Sequence, residues 1–246
     1  MAEQLSLRLQ PDMPRSGDVA PMWPVPRRDP FDSPDFLFGP TWGGHRVLVF
    51  VEPAERAGEG AVRIVDGAGR DLAGVLPELA GVAVRVAARS VVLDGELVVA
   101  DAGGRADDEA LRERLSGRPG RPVALLVFDV LYVDGVWLLA KPLEKRRDAL
   151  RKVLRPGDEM VIVPSIPGEG LALHEAVTTQ GIAGVLARRR TSPYLPGVRS
   201  RLWQSITAGP HGEGSPPQSD GLEPATTSTG PVLALFRRLP LGVDEP

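Results

Sequence analysis

Two long apolar runs, residues 91–100 and 123–133, constrain what this chain can fold into more than anything else in it. A strand with one wet face alternates apolar and polar residues, whereas a near-continuous run suits a strand covered on both faces. Shorter strand patterns fall at 46–52, 62–65, 82–87, 136–139, 159–163, 184–189 and 201–206. Helical patterns fall at 107–115, 143–154 and 169–180, with acidic residues opening the first and Gly181 closing the third. Runs of strands with a few helices between them predict an α+β fold with antiparallel sheets flanked by helices, not a regular βαβ alternation.

The segment 21–34 is punctuated by prolines and reads as extended chain lying on a core. It leads to Phe36-Leu37-Phe38-Gly39-Pro40-Thr41-Trp42-Gly43-Gly44-His45-Arg46, which reads as a glycine-rich turn feeding the apolar run 47–51. Residues 1–20 are polar and aperiodic, as expected of a flexible arm, and a domain is expected over 21–208. Residues 209–246 read as a disordered Pro/Gly/Ser-rich tail with a short apolar end at 232–241.

Composition removes several function classes. With no cysteine, disulfides, thiolate–zinc sites and a cysteine nucleophile are excluded. His45, His174 and His211 have no metal-ligand spacing. No run is long and apolar enough to span a bilayer, so the plain reading is a cytoplasmic protein with no membrane partner. A net charge of −3 gives no global attraction to nucleic acid, so DNA binding would need a local basic patch. Arg188, Arg189, Arg190, Arg199 and Arg201 form the dense basic cluster, and the only lysines are Lys141, Lys145 and Lys152.

Four ordered stretches resemble the adenylation (nucleotidyltransferase) domain of ATP-dependent DNA ligases. They are residues 31–46, the Leu93-Asp94-Gly95-Glu96 stretch, the Phe128-Asp129-Val130-Leu131 stretch, and 181–203 with Ser192-Pro193-Tyr194 inside it. Their common order carries the resemblance more than any single match. It implies an ATP-grasp-like nucleotidyltransferase fold. In that family a lysine amine attacks the α-phosphate of ATP, and the adenylate is passed to a DNA 5′-phosphate.

The resemblance also implies loss. Thr41 stands at the nucleophile position, where a hydroxyl is shorter than a lysine, scarcely ionised near neutrality and without an evident base. Gly39, Gly43 and Ala183 stand where the family has carboxylates, Asp66-Gly67 where it has Ser-Arg, and Ser205 and Thr207 where it has lysines. No catalytic residue is expected to be intact, the metal site is expected to be lost, and no OB-fold domain is expected. Arg46, Glu96, Phe128 and Arg188 are the candidate cofactor-binding residues, toward ATP held weakly or not at all. Arg189, Arg190, Arg199 and Arg201 are the candidate DNA contacts. The reading is a non-catalytic DNA-ligase-like protein with residual nucleotide, DNA or partner binding. Its rivals are an active ATP-dependent DNA ligase or nucleotidyltransferase of DNA repair and recombination, and a subunit docking on an intact ligase or repair protein.

Overall fold

The computed structural model describes residues 13–52 and 56–208. Eleven strands among them form two sheets. The first contains β1 (Trp23–Pro26), β2 (Ser33–Thr41), β9 (Ile166–Gly168), β10 (Gly184–Arg189) and β11 (Arg199–Thr207), in the order β1-β11-β10-β2-β9. The second contains β3 (His45–Val51), β4 (Val62–Asp66), β5 (Val91–Val98), β6 (Ala124–Val133), β7 (Val136–Trp137) and β8 (Met160–Ile162). Its order is β4-β3-β5-β6-β7, with β8 alongside β6. Most neighbours are antiparallel; β1–β11 and β6–β8 are parallel.

Every residue of β5 is buried, and so is all of β6 except its last. The reason is that the second sheet is covered twice. On one face Val47, Val49, Leu93, Leu97, Leu125 and Val127 pack with Leu111 and Leu115 of α1 (Asp108–Leu115), Leu150 of α2 (Leu143–Val153) and a 3-10 helix at Pro77–Arg85. On the other, Leu48, Phe50, Val92 and Leu126 share a core with Phe38, Val185, Ala187 and Trp203 of the first sheet. Leu173 and Val177 of α3 (Gly170–Gln180) join that same core and pack on β10 and β2.

The helices follow their sequence signals. Asp107 accepts from the amide of Ala110 as the N-cap of α1, and Gly181 ends α3 in the left-handed conformation at φ 72°. Three expectations need correction. Residues 82–87 are not a strand; most belong to the 3-10 helix that begins at Pro77. Its Val82 and Ala83 are buried while Val84 is 73% exposed, which breaks the alternation a strand would have. Residues 36–41 are not a turn but the end of strand β2, paired with β10; the turn is confined to 42–44. Finally, the arm expected at 1–20 is packed at its far end, where Val19 enters the core. Residues 1–12 and the tail expected at 209–246 lie outside the described residues.

Candidate ligand pocket between the sheets

Directly paired residues of neighbouring strands share a face. On the first sheet this makes two rows, Gly39–Leu186–Ser205 and Leu37–Arg188–Trp203. On the second, Arg46 of β3 lies opposite Glu96 of β5. Glu96 and Asp94 are two apart and so share one face of β5, away from Leu93, Leu97 and the helices. The two sheets enclose a pocket of about 170 Å³ lined by Thr41, Arg46, Glu96, Phe128, Leu186 and Arg188, among others. All four candidate cofactor-binding residues therefore meet at one place, with Thr41.

Thr41 is held by Glu96. Its hydroxyl donates to Glu96 Oε2 at 3.1 Å, and the same carboxylate accepts from the amides of Trp42 (3.0 Å) and Gly44 (3.2 Å). Burial raises the pKa of Glu96, opposed by these three donors and by the charge of Arg46. Glu96 is thus the clasp of the turn 42–44. Gly44 has no room for a side chain, since a Cβ there would stand 2.2 Å from the carbonyl oxygen of Leu97.

Arg46 is committed too. Its Nε and Nη2 each lie 2.6 Å from a different oxygen of Asp94, and Nη2 also donates to the carbonyl of Met22. The Tyr194 hydroxyl donates to Asp94 Oδ2 at 2.7 Å and accepts from the amide of Met22 at 2.9 Å. Burial alone would lower the pKa of Arg46, but Asp94 outweighs it and raises it above the ordinary value. The guanidinium lies 4.4 Å from the ring centroid of Phe128, within cation–π range. Asp94 and Tyr194 were not candidates from sequence. The usable signal was the two-residue spacing of Asp94 and Glu96 in a buried strand.

Arg188 is different. It is 1% exposed, and among the described residues its side chain makes one hydrogen bond, from Nη1 to the carbonyl of Phe128 at 3.0 Å. Arg147 of α2 donates to the same oxygen at 3.0 Å and to the carbonyl of Val163 at 2.8 Å. Among the described residues neither guanidinium touches a carboxylate. Burial, then the charge of Arg147, pushes Arg188 down to about 9; burial pushes Arg147 down to about 10.

Three of the remaining arginines have separate partners. Arg189 lies 3.5 Å from Asp35, Arg190 pairs with Glu144 at 3.3 Å, and Arg199 donates to the carbonyl of Pro24. Arg201 is exposed on β11. At the position expected to hold a Ser-Arg pair, Asp66 accepts from the amides of Ala68 and Arg70 and from the Arg70 side chain. None of Lys141, Lys145 and Lys152 lines the pocket. Among the described residues no group of three His, Cys, Asp or Glu side chains is placed to hold a metal ion. No helix among them is long and apolar enough to cross a membrane.

A family model for the ATP dependent DNA ligase domain matches residues 33–206, from the start of β2 almost to the end of β11. The chain belongs to that family. The multifunctional non-homologous end joining DNA repair protein LigD of Mycobacterium tuberculosis (strain ATCC 25618 / H37Rv) is 34% identical over 168 residues, 68% of this chain and 21% of that protein. The SPbeta prophage-derived DNA ligase-like protein LigB of Bacillus subtilis (strain 168) is 34% identical over 116 residues, 47% of this chain and 43% of that protein. This ligase-domain chain thus spans less than half the length of either relative. A solved structure of mycobacterial DNA ligase D complexed with ATP and MES superposes with a TM-score of 0.67 at 30% identity, covering 77% of this chain and 60% of that one. The fold is therefore the α+β nucleotidyltransferase fold of ligase adenylation domains.

Proposed function

We propose that this ligase-family domain does not transfer nucleotide and serves a non-catalytic role in DNA repair. The observation that carries the reading is the engagement of Thr41 with Glu96. Adenylation needs a free amine that can form a phosphoramidate, and the group at that position is a hydroxyl bound to a carboxylate. Were it to attack, the product would be an ordinary phosphodiester, a poor donor of AMP.

The surroundings agree. Magnesium needs several oxygen ligands, yet Glu96 already accepts from Thr41, Trp42 and Gly44, and Gly43 and Ala183 bring no carboxylate. The residues present do not fit the ion. Ser205, in place of a phosphate-binding lysine, lines the pocket as a neutral hydroxyl. ATP would find an aromatic wall in Phe128 and, of the two arginines that line the pocket, one already paired with Asp94, which leaves Arg188 to face a triphosphate. The repair setting comes from relatives such as LigD, described as a non-homologous end joining DNA repair protein. Within it, DNA would meet Arg189, Arg190, Arg199 and Arg201, or an intact ligase or repair protein would be the partner.

The test is to incubate the chain with magnesium and ATP labelled at its α-phosphate, denature it, and look for label on the polypeptide. No label is expected. Label that survives denaturation, or joining of a nicked duplex, would establish the active-ligase reading instead.

A further inference from the structure

A second cavity, of about 260 Å³, lies on the helix-covered side of the second sheet, away from the pocket between the sheets. Gly60, Val62 and Ile64 wall it on one side, and Leu76, Leu79 and Ala80, around the 3-10 helix at Pro77–Arg85, on the other. None of its lining side chains is polar. Ala80 is exposed and Gly60 and Val62 are half-buried, so the cavity opens to solvent as a groove.

The strand side of this groove is an open sheet edge, since β4 is the outermost strand of its sheet. Ile64 turns its backbone outward: its amide donates to Asp71 Oδ1 at 3.2 Å, and its carbonyl accepts from the amide of Leu72 at 2.7 Å. In an antiparallel pair, outward-facing residues recur at every second position. Ala61 bonds inward, its carbonyl accepting from the amide of Glu52 at 2.8 Å. Val62 therefore turns its N–H and C=O outward as Ile64 does, and no loop or side-chain group among the described residues bonds them there. An open edge beside an apolar groove is the geometry that accepts an extended peptide as an added strand. Such a strand must stop at Ile64, where Asp71 and Leu72 already close the edge. Asp71 is exposed, and it spends one oxygen on the amides of both Ile64 and Ala73.

The chain itself carries a segment of matching chemistry, Val232-Leu233-Ala234-Leu235-Phe236 followed by Arg237-Arg238. Alternate side chains of an extended segment share a face. With Leu233 at Gly60 and Leu235 at Val62, Arg237 falls at Ile64, beside the carboxylate of Asp71. The tether is long enough. The chain leaves the first sheet at Ala208, whose amide donates to Ala183 next to Gly43. Two residues on from Gly43, His45 lies 3.5 Å from Asp66 at the near end of β4, and Val62 is four residues further, about 13 Å. The 23 residues 209–231 are rich in Gly, Pro, Ser and Thr. A flexible linker of that length has a root-mean-square span of roughly 24–29 Å and a limit of about 76 Å.

We propose that residues 232–238 dock on their own domain as a strand added parallel to β4 along Gly60–Val62, with Leu233 and Leu235 in the groove and Arg237 on Asp71. This docking is independent of whether the domain transfers nucleotide, since the groove shares no residue with the pocket between the sheets.

Trypsin cleavage of the full chain after Arg237 and Arg238, followed by mass spectrometry, tests it. The double variant Leu233→Gln/Leu235→Gln is expected to be cut about tenfold faster than the parent, the ratio of an effective concentration of about 1 mM to an intrinsic affinity of about 0.1 mM. Ala80→Gln, which lays a polar side chain over the groove, is expected to speed cleavage as well, and Val136→Gln, an exposed residue of β7, to leave it unchanged. Amide chemical shifts that differ between parent and double variant are expected to centre on residues 60–64 and 73–80. Equal cleavage in parent and double variant, or shifts centred elsewhere, would overturn the proposal. Protection that rises with protein concentration would overturn it too, by placing the segment on a second copy. Should Ala80→Gln lower the melting temperature, the double variant and the amide shifts decide without it.

Discussion

A Cβ built on Gly43 would lie 3.4 Å from the Cβ of Ala183, so two positions at which ligase relatives are expected to carry carboxylates face each other across the turn. Both are bare here, and Thr41 ends the strand that leads into that turn. On the proposed non-catalytic reading, the closeness of these two positions has a consequence for attempts to restore activity. Thr41→Lys alone is expected to give no labelled protein with ATP labelled at its α-phosphate. The new amine would meet Glu96, but Ala183, Ser205 and Thr207 would still supply neither metal ligand nor phosphate cation. Label on the single variant, scored on a denaturing gel, would refute this.

The clasp made by Glu96 is a stability feature whatever the ligand. Replacing Glu96 with Ala strips acceptors from the buried Trp42 amide and the Gly44 amide, and leaving a buried donor unsatisfied costs about 1–3 kcal/mol. A loss of about 2–5 kcal/mol in urea unfolding is expected, with Glu96→Gln losing less because its carbonyl keeps one acceptor. Thr41→Val, which removes only the hydroxyl donor, is expected to cost about 1 kcal/mol.

How much of this was legible depends on what each residue's neighbours do. Strands β5 and β6 could be read directly because both faces are covered, so burial left a continuous apolar record. Strand β2 could not: Pro34, Gly39 and Pro40 are turn formers by local preference, and pairing with β10 on one side and β9 on the other holds the segment extended. The 82–87 stretch misled in the opposite sense, since Val82, Val84 and Val86 alternate like a strand although the first two lie in a 3-10 helix. At the site, Thr41, Arg46, Glu96, Phe128 and Arg188 were each visible as motif positions. What each one bonds to was not, because Asp94, Tyr194 and Arg147 reach them across long sequence separations.

Paired and unpaired buried charges should respond in opposite ways to removal. Asp94→Asn leaves Arg46 without its bidentate partner, and breaking a buried pair from one side costs about 3–5 kcal/mol. Arg188→Met removes a cation that has no carboxylate to lose, and the Phe128 carbonyl keeps its bond from Arg147. That variant is expected to be neutral or more stable than the parent chain. Denaturant midpoints of the two variants, measured side by side, check the contrast; a large loss in Arg188→Met would mean that Arg188 is a structural strut.

Acid should weaken the hairpin that follows β4 through Asp66. Burial would raise the pKa of this carboxylate, but the amides of Arg70 and Ala68, the Arg70 guanidinium and His45 outweigh it, and the folded value lies below 3.8. A depressed folded value means that the unfolded chain takes up the proton first. The contribution is therefore complete above the unfolded pKa and drains away as pH falls through the folded one. Asp66→Asn retains one acceptor oxygen and is expected to cost about 1 kcal/mol at neutral pH. The gap between variant and parent should close as the pH is taken well below 3.8. Urea unfolding of both chains across that range tests it, and a gap that stays constant down to the lowest pH would show that the ionised carboxylate contributes nothing.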